Sequence, residues 1–245
     1  STSREVRCMR VATCTLVAKY YGFVQGAIAQ LAALKALVPS EVDNYIIVED
    51  GHYDKNVYTQ LEKLGYKILA KPALRPARSV NYVADRWKYT FNKFYIWTLT
   101  DYDRVIYLDA DCLPITKDFH LGMLDIGDKY LSASRVNAKA QARFNAGVMC
   151  VQPNIETYRA LIETLNTTAP GAELADQGLL NLFCNGYKQL PDVYNMRSWN
   201  NNIYDNIIIA HLRPTPWTRT TGPRGWMKYR AIWEQMYKEG LRLIG

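Results

Sequence analysis

The stretch RVIYLDADC, residues 104–112, sets a run rich in β-branched and aromatic side chains directly before two carboxylates, Asp109 and Asp111, one residue apart. An unbroken apolar run of this length reads as a strand buried on both faces, the habit of parallel sheets covered by helices. In open parallel sheets, ligands bind beyond the carboxyl ends of the strands, and the Asp-Ala-Asp triplet falls there. Two carboxylates so close repel unless a cation lies between them, and hard oxygen ligands suit Mn2+ or Mg2+. Asp-x-Asp by itself is most often a solvated turn; the strand in front of it is what favours the metal reading.

Working outward, strands and helices alternate. VATCTLV (11–17) reads as a buried strand, and GFVQGAIAQLAALKAL (22–37) as a helix ended by Pro39. YIIV (45–48) is a second strand, and 56–64 a helix closed by Gly65. Residues 66–69 form a third strand, and WKYTFNKFYIWTL (87–99) carries aromatics at helical spacing. Beyond the Asp-Ala-Asp segment, 131–134, GVMCV (147–151) and IIIA (207–210) read as strands, with a loop at 138–145. Helices are expected over 155–165, 176–183 and 228–243. This rhythm predicts an α/β fold, a central mixed and mostly parallel sheet flanked by helices. No Gly/Ser linker divides the chain. One domain over 1–245 is expected, with a core at about 10–217 and a basic helical tail at 218–245.

Composition narrows the function classes. Of 245 residues, 49% are hydrophobic and 22% charged, which excludes a disordered or collagen-like chain. No apolar run is long enough to span a membrane, and Ser1–Glu5 lacks the apolar core of a signal peptide. Five scattered cysteines, at 8, 14, 112, 150 and 184, form no Cys-x-x-Cys pair and no disulfide framework, so a reducing compartment, the cytoplasm, is expected. The formal net charge of +7 divides into +5 over residues 1–90, −3 over 91–212 and +5 over 213–245. No nucleic-acid-binding motif accompanies it. The alternatives are an ordinary solvated surface, or a basic rim around an acidic centre that holds a metal.

His211, about a hundred residues after the carboxylates, follows the apolar run 207–210. It reads either as a satisfied histidine at a strand end or as an imidazole completing a shell that carboxylates begin.

Several stretches together carry a family resemblance. They are NKFYIWTLTDYDRVIYLDADC (92–112), FNAGVMCVQPNIETYRALIE (144–163), LADQGLLNLF (174–183), LPDVYN (190–195) and HLRPTPW (211–217). In this order they resemble the glycogenin-type branch of glycosyltransferase family 8, retaining enzymes of the GT-A fold that use nucleotide sugars. The resemblance implies that Asp109, Asp111 and His211 bind Mn2+, which holds the diphosphate of a UDP-sugar. It implies that Thr15, Leu16, Val17, Lys19 and Tyr20 cradle the uridine, with Ala110 beside them. Lys93 and, less closely matched, Arg86 would contact donor phosphates, and Asn145 the transferred sugar. Asp176 and Gln177 would sit beside the anomeric carbon, with Lys93 as a third catalytic residue and Asn195 on the acceptor side.

Simpler readings stand beside these. Lys93 can snorkel from an aromatic helix, Asn145 can be a turn residue, and Asp176 can be a helix N-cap.

The chain departs from glycogenins at its end. Their His-x-x-Gly-x-x-Lys-Pro-Trp signature is here His211-Leu-Arg-Pro-Thr-Pro-Trp217, two residues shorter, without the glycine and with Thr215 for the lysine. Phosphate contact is therefore expected to pass to Arg213, or to Arg219 or Arg224. The segment that carries the self-glucosylated tyrosine in glycogenins is also shorter, and Tyr204 cannot be equated with it. Trp199, Tyr204, Trp217 and Trp226 are expected in loops, where Tyr204 and Trp217 would stack on an acceptor or simply pack.

The leading expectation is Mn2+-dependent retaining transfer of a hexose, glucose or galactose first, from a UDP-sugar to a glycan, glycoprotein or glycolipid. UDP-GlcNAc and UDP-xylose stand behind as donors. No nucleic acid and no membrane span are expected, and a homodimer is compatible. The alternatives are a self-glycosylating primer and a non-catalytic nucleotide-sugar or carbohydrate-binding module.

Overall fold

A computed structural model describes residues 9–18, 21–77, 85–136, 143–168, 175–197 and 206–245, without the side chains of Asp85 and Arg86. Strand β1 (Val11–Val17) pairs in parallel with β2 (Asp43–Glu49) on one side and β4 (Arg104–Leu108) on the other, and β3 (Lys67–Lys71) extends β2 in parallel. On the far side of β4 the direction changes. β7 (Phe144–Val151) runs antiparallel to β4 and to β6 (Leu131–Arg135), and β8 (Lys188–Gln189) adds in parallel to β6. The seven-stranded order is β3-β2-β1-β4-β7-β6-β8. The expected mixed, mostly parallel sheet is thus present.

Helix α1 (Tyr21–Leu37) is buried along Val24 and Gly26–Leu34, which explains a sequence with almost no polar face. It packs on α5 (Arg224–Ile244), where a Cβ on Gly240 would lie 2.8 Å from the Ile28 carbonyl oxygen. Helix α2 (Lys55–Leu64) starts at Asp54, whose carboxylate accepts from the Asn56 and Val57 amides. It stops at Gly65, with φ 111° and its N–H on the Glu62 carbonyl. The glycine anticipated as a terminator therefore adopts the left-handed cap that other residues resist.

One expectation is sharpened and two are corrected. The helical segment expected over 87–99 is present as Asp85–Thr98 and is wound as a 3-10 helix. At three residues per turn its side chains eclipse at every third position. Phe91, Phe94 and Trp97 form one fully buried ridge, while Trp87, Thr90 and Lys93 form another that faces a cleft. β7 begins at Phe144, so Asn145 lies in a strand rather than in a loop, its neighbour Phe144 paired at both backbone groups with the Asn181 amide. Trp226 is not in a loop. It lies in α5, fully buried, with its indole N–H 3.0 Å from the Pro214 carbonyl.

A second, three-stranded sheet positions the site. β10 (Ile209–His211) pairs antiparallel with β5 (Cys112–Pro114) and in parallel with β9 (Met196–Arg197). Its register sets His211 opposite Cys112, so the strand ends at the residue after Asp111.

Candidate active site

Asp109 is the first residue beyond β4, its N–H held 2.7 Å from the Gly147 carbonyl of β7. The chain then turns, with the Cys112 N–H returning to the Asp109 carbonyl. One buried side chain clamps this turn: Gln30 of α1 donates to the carbonyls of Asp109 (2.9 Å) and Cys112 (2.8 Å). One turn earlier on α1, a Cβ on Gly26 would stand 2.3 Å from the Ala110 oxygen, so only glycine admits this approach.

Lys93 is 2% exposed and does not snorkel. Its ammonium reaches Asp176 Oδ2 at 2.7 Å, and Asp109 Oδ1 and the Ala146 carbonyl at 3.2 Å each, using all three donors. It also stands 4.8 Å from the centre of the Tyr107 ring. Burial disfavours the ammonium, but the two carboxylates outweigh it and hold the Lys93 pKa above its ordinary value. Tyr107 donates to the same Asp109 oxygen at 2.7 Å. Asp176, in the first turn of α4 (Ala175–Cys184), takes the Thr90 hydroxyl on its other oxygen. It is therefore ion-paired rather than acting as a simple cap.

A chain of amides leads from Gln177 to His211. Asn145 donates to Gln177 Oε1 (2.9 Å), Asn195 donates to Asn145 Oδ1 (2.8 Å), and the Asn195 carbonyl faces His211 Nδ1 (2.8 Å). With an acceptor opposite Nδ1, that nitrogen carries the hydrogen and Nε2 presents its lone pair. Nε2 lies 3.3 Å from Asp111 Oδ1 and accepts from Arg213 Nε at 3.1 Å. Arg213 Nε also reaches Asp111 Oδ2 at 3.0 Å. Burial would raise the Asp111 pKa, but the Arg213 guanidinium beside it prevails and holds it well below the usual carboxylate range. The Arg213 guanidinium is correspondingly held more firmly protonated by Asp111.

The residues present fit a hard divalent cation. Asp111 Oδ1 and His211 Nε2 are two acceptors facing each other at 3.3 Å, which calls for a positive charge against both. Gly147 leaves open a space in which a Cβ would stand 2.8 Å from His211 Cε1 and 2.9 Å from Asp109 Oδ2. Asp111, Cys112 and His211 also bring one ligand atom each within 4.8 Å of one another. Cys112 is the poorest of them, since burial pushes its thiol pKa well up and its sulfur lies 3.5 Å from the Gly147 carbonyl.

These groups surround a cleft of about 220 Å³ lined by Trp87, Thr90, Lys93, Asp109, Asn145, Gly147, Asp176, Gln177, Arg197, His211 and Arg213. A smaller one of about 50 Å³ adjoins it, sharing Trp87, Thr90, Asp109 and Arg213 and reaching Leu16, Ala18, Ala110 and Asp111. The strand alternation of β1 puts Leu16 and Ala18 there and buries Thr15 and Val17 on the other side. Asn195 is buried with both ends of its amide engaged. Trp217 lines neither cleft: it lies over Gly22 and Gly26 of α1 and edge-on to Phe23. Lys19, Tyr20, Trp199 and Tyr204 lie outside the described residues, as does the Arg86 side chain.

Gln30, Trp87, Thr90, Tyr107, Gly147 and Arg197 were not singled out in the sequence. Trp87, Thr90 and Lys93 are three apart, a signal legible only once the helix is known to be 3-10. Gln30 is the one long polar side chain in the apolar stretch Ala27–Leu34. Arg197 carried no signal.

Residues 78–220 match the family described as Glycosyl transferase family 8. The chain is 29% identical over 183 residues to UDP-glucuronate:xylan alpha-glucuronosyltransferase 1 of Arabidopsis thaliana, covering 74% of this chain and 26% of that protein. It is 30% identical over 151 residues to glycogenin-1 of Mus musculus, covering 55% and 44%. The chain thus spans less than half the length of either relative. The apo-form glycosyltransferase GlyE in Streptococcus pneumoniae TIGR4 superposes with a TM-score of 0.67 at 20% identity, covering 96% of this chain and 64% of that one. The strand order, the Asp-Ala-Asp turn at the sheet's carboxyl edge and a family match over more than half its length agree: the chain belongs to glycosyl transferase family 8 and has the GT-A fold.

Proposed function

We propose that this chain is the catalytic domain of a metal-dependent, retaining glycosyltransferase that moves a hexose, glucose or galactose first, from a UDP-sugar to a hydroxyl of a glycan, glycoprotein or glycolipid. The observation that carries this is the convergence on two adjoining clefts of Asp109 and Asp111 from the end of β4, His211 from β10 and Asp176 with Gln177 from α4: Asp109, His211, Asp176 and Gln177 line the larger, and Asp109 and Asp111 the smaller. Mn2+ or Mg2+ held by Asp109, Asp111 and His211 would neutralise charge on the donor diphosphate. Arg197 and Arg213 support an anion in the same place. Burial lowers the Arg197 pKa, Arg213's charge lowers it further, and both side chains line the cleft, so a diphosphate between them relieves both costs.

When the bond between the anomeric carbon and the diphosphate oxygen breaks, its electron pair leaves with the diphosphate. The guanidinium groups oppose that growing negative charge. Asp176 faces the positive charge that develops at carbon. Its two oxygens are engaged by Lys93 and Thr90, an arrangement that supports electrostatic stabilisation over nucleophilic attack. The acceptor oxygen then bonds to carbon on the face the diphosphate leaves, and its proton passes to a diphosphate oxygen, which gives retention. Asn145 and Gln177, fixed by their mutual hydrogen bond, orient the sugar. Asn195 supports His211, a different task from the acceptor contact expected of it.

No helix among the described residues is long and apolar enough to cross a membrane. The free, buried Cys14, Cys112, Cys150 and Cys184 fit action in the cytoplasm.

A panel of UDP-sugars with Mn2+ tests this reading. UDP release from one or two sugars, lost with EDTA and in Asp111→Asn, is expected; no release from any sugar refutes it. Arg213→Ala is expected to raise the donor KM. Intact mass after incubation with UDP-glucose separates a self-glycosylating primer, which gains hexoses stepwise, from transfer to an external acceptor.

A further inference from the structure

Asp111 and His211 are almost fully buried, yet their facing atoms, Oδ1 and Nε2, are both acceptors 3.3 Å apart. Arg213 Nε lies against both groups, 3.1 Å from His211 Nε2 and 3.0 Å from Asp111 Oδ2. Arg213 thus sets a positive charge against both side chains. The Arg213 side chain is 32% exposed, whereas its two partners are at 2–3%, so it can leave while they stay. It already borders both clefts.

We propose that Arg213 is a resident counterion of the Asp111–His211 pair, which a divalent cation displaces on binding and which thereby becomes available to the donor's diphosphate. The proposal rests on the metal reading above and adds that metal and donor uptake are coupled through one side chain. In the absence of donor, the guanidinium competes with the metal, and the apparent metal affinity falls by the fraction of molecules in which the seat is open. With donor present, the displaced guanidinium has a new partner and the competition is relieved. The competition is between two cations for the same two side chains.

The test is Mn2+ binding to the full chain without donor, followed by the EPR signal of free Mn2+, for wild type, Arg213→Met, Arg197→Met and Asp111→Asn. Arg213→Met is expected to bind Mn2+ about tenfold more tightly than wild type, as for a seat open in about a tenth of molecules. Arg197→Met, which removes a nearby positive charge but no ligand contact, is expected to change affinity less than about twofold. UDP is expected to tighten Mn2+ binding in wild type by a larger factor than in Arg213→Met. Because Arg213→Met leaves a buried carboxylate without its counterion, its Tm in EDTA should be lower than that of wild type, and Mn2+ should raise it further than it raises wild type.

Equal Mn2+ affinity in Arg213→Met and wild type overturns the proposal, as does equal tightening in Arg197→Met, which would mean a diffuse field. If Asp111→Asn still abolishes binding in those cases, the metal site itself stands. Absence of Mn2+ binding by every form overturns both.

Discussion

The side-chain carbonyl of Asn195 lies 2.8 Å from Nδ1 of His211, and both residues are buried. That contact decides which ring nitrogen carries the hydrogen, and so turns a lone pair toward Asp111. The nitrogen of the same amide is tied through Asn145 to Gln177, linking the α4 side of the cleft to His211. Asn195→Ala is expected to weaken Mn2+ binding by about 10–100-fold, the usual effect of removing a partner behind a ligating histidine. A Mn2+ titration checks it, and turnover should recover toward wild type at millimolar Mn2+. An unchanged titration would rule out the orienting role.

Gly147 is a second sensitive point. A methyl there would stand 2.8 to 3.0 Å from His211 Cε1, Asp109 Oδ2 and Asn145 Oδ1, atoms from three residues of the site. Gly147→Ala should keep its far-UV circular dichroism while kcat/KM for UDP-sugar hydrolysis falls by about 100-fold, since displacing such groups by a fraction of an ångström spoils the alignment. Full activity would show that the space is not used.

Lys93 holds the site together as well as facing it. Lys93→Met leaves Asp109 and Asp176 without their shared cation, and breaking a buried pair of this kind costs about 3 kcal/mol. Urea unfolding should show the loss as a lower midpoint. Adding Asp176→Asn to Lys93→Met should cost less than the sum of the two single changes, because one substitution removes the charge the other strands. Additive losses would contradict the pairing.

The described thiols should be silent in the native state. Cys14, Cys112, Cys150 and Cys184 are buried, and burial pushes Cys150 and Cys184 up to about 12, Cys14 higher still and Cys112 well above its ordinary value. The sign is that of an acid whose charged form is disfavoured, so at pH 8 the reactive thiolate is nearly absent in all four. A thiol-reactive chromophore at pH 8 should label none of these four before unfolding and all of them in guanidinium chloride. Rapid native labelling of any of the four would contradict the packing.

Several elements were legible because their signal is local. Apolar runs bounded by breakers marked β1, β2 and β4 to within two residues at either end, and Gly65 marked the end of α2 through its backbone freedom. Asp109 and Asp111 stood out because a strand delivers them to the sheet's edge. The 3-10 winding of 85–98 was not legible: its aromatic pattern suits either helix, and burial of Phe91, Phe94 and Trp97 on one ridge against the sheet selects the tighter one. Trp217 and Trp226 looked alike as aromatics near basic residues, yet one covers the glycines of α1 and the other fills the core under α5.

By itself, the sequence determined the α/β rhythm, the two carboxylates at the end of β4 and the residue types of the site, since these depend on periodicity and on motifs a few residues long. Only the tertiary structure decided how the parts act on one another. A three-residue strand pairs His211 with Cys112 across about a hundred residues, an amide chain chooses the tautomer of that histidine, and Arg213 comes to lie against the acceptors of Asp111 and His211. The reason is physical: tautomer, ion pairing and ligand competition are set by distances of about 3 Å between groups far apart in the chain, and no local pattern encodes a distance.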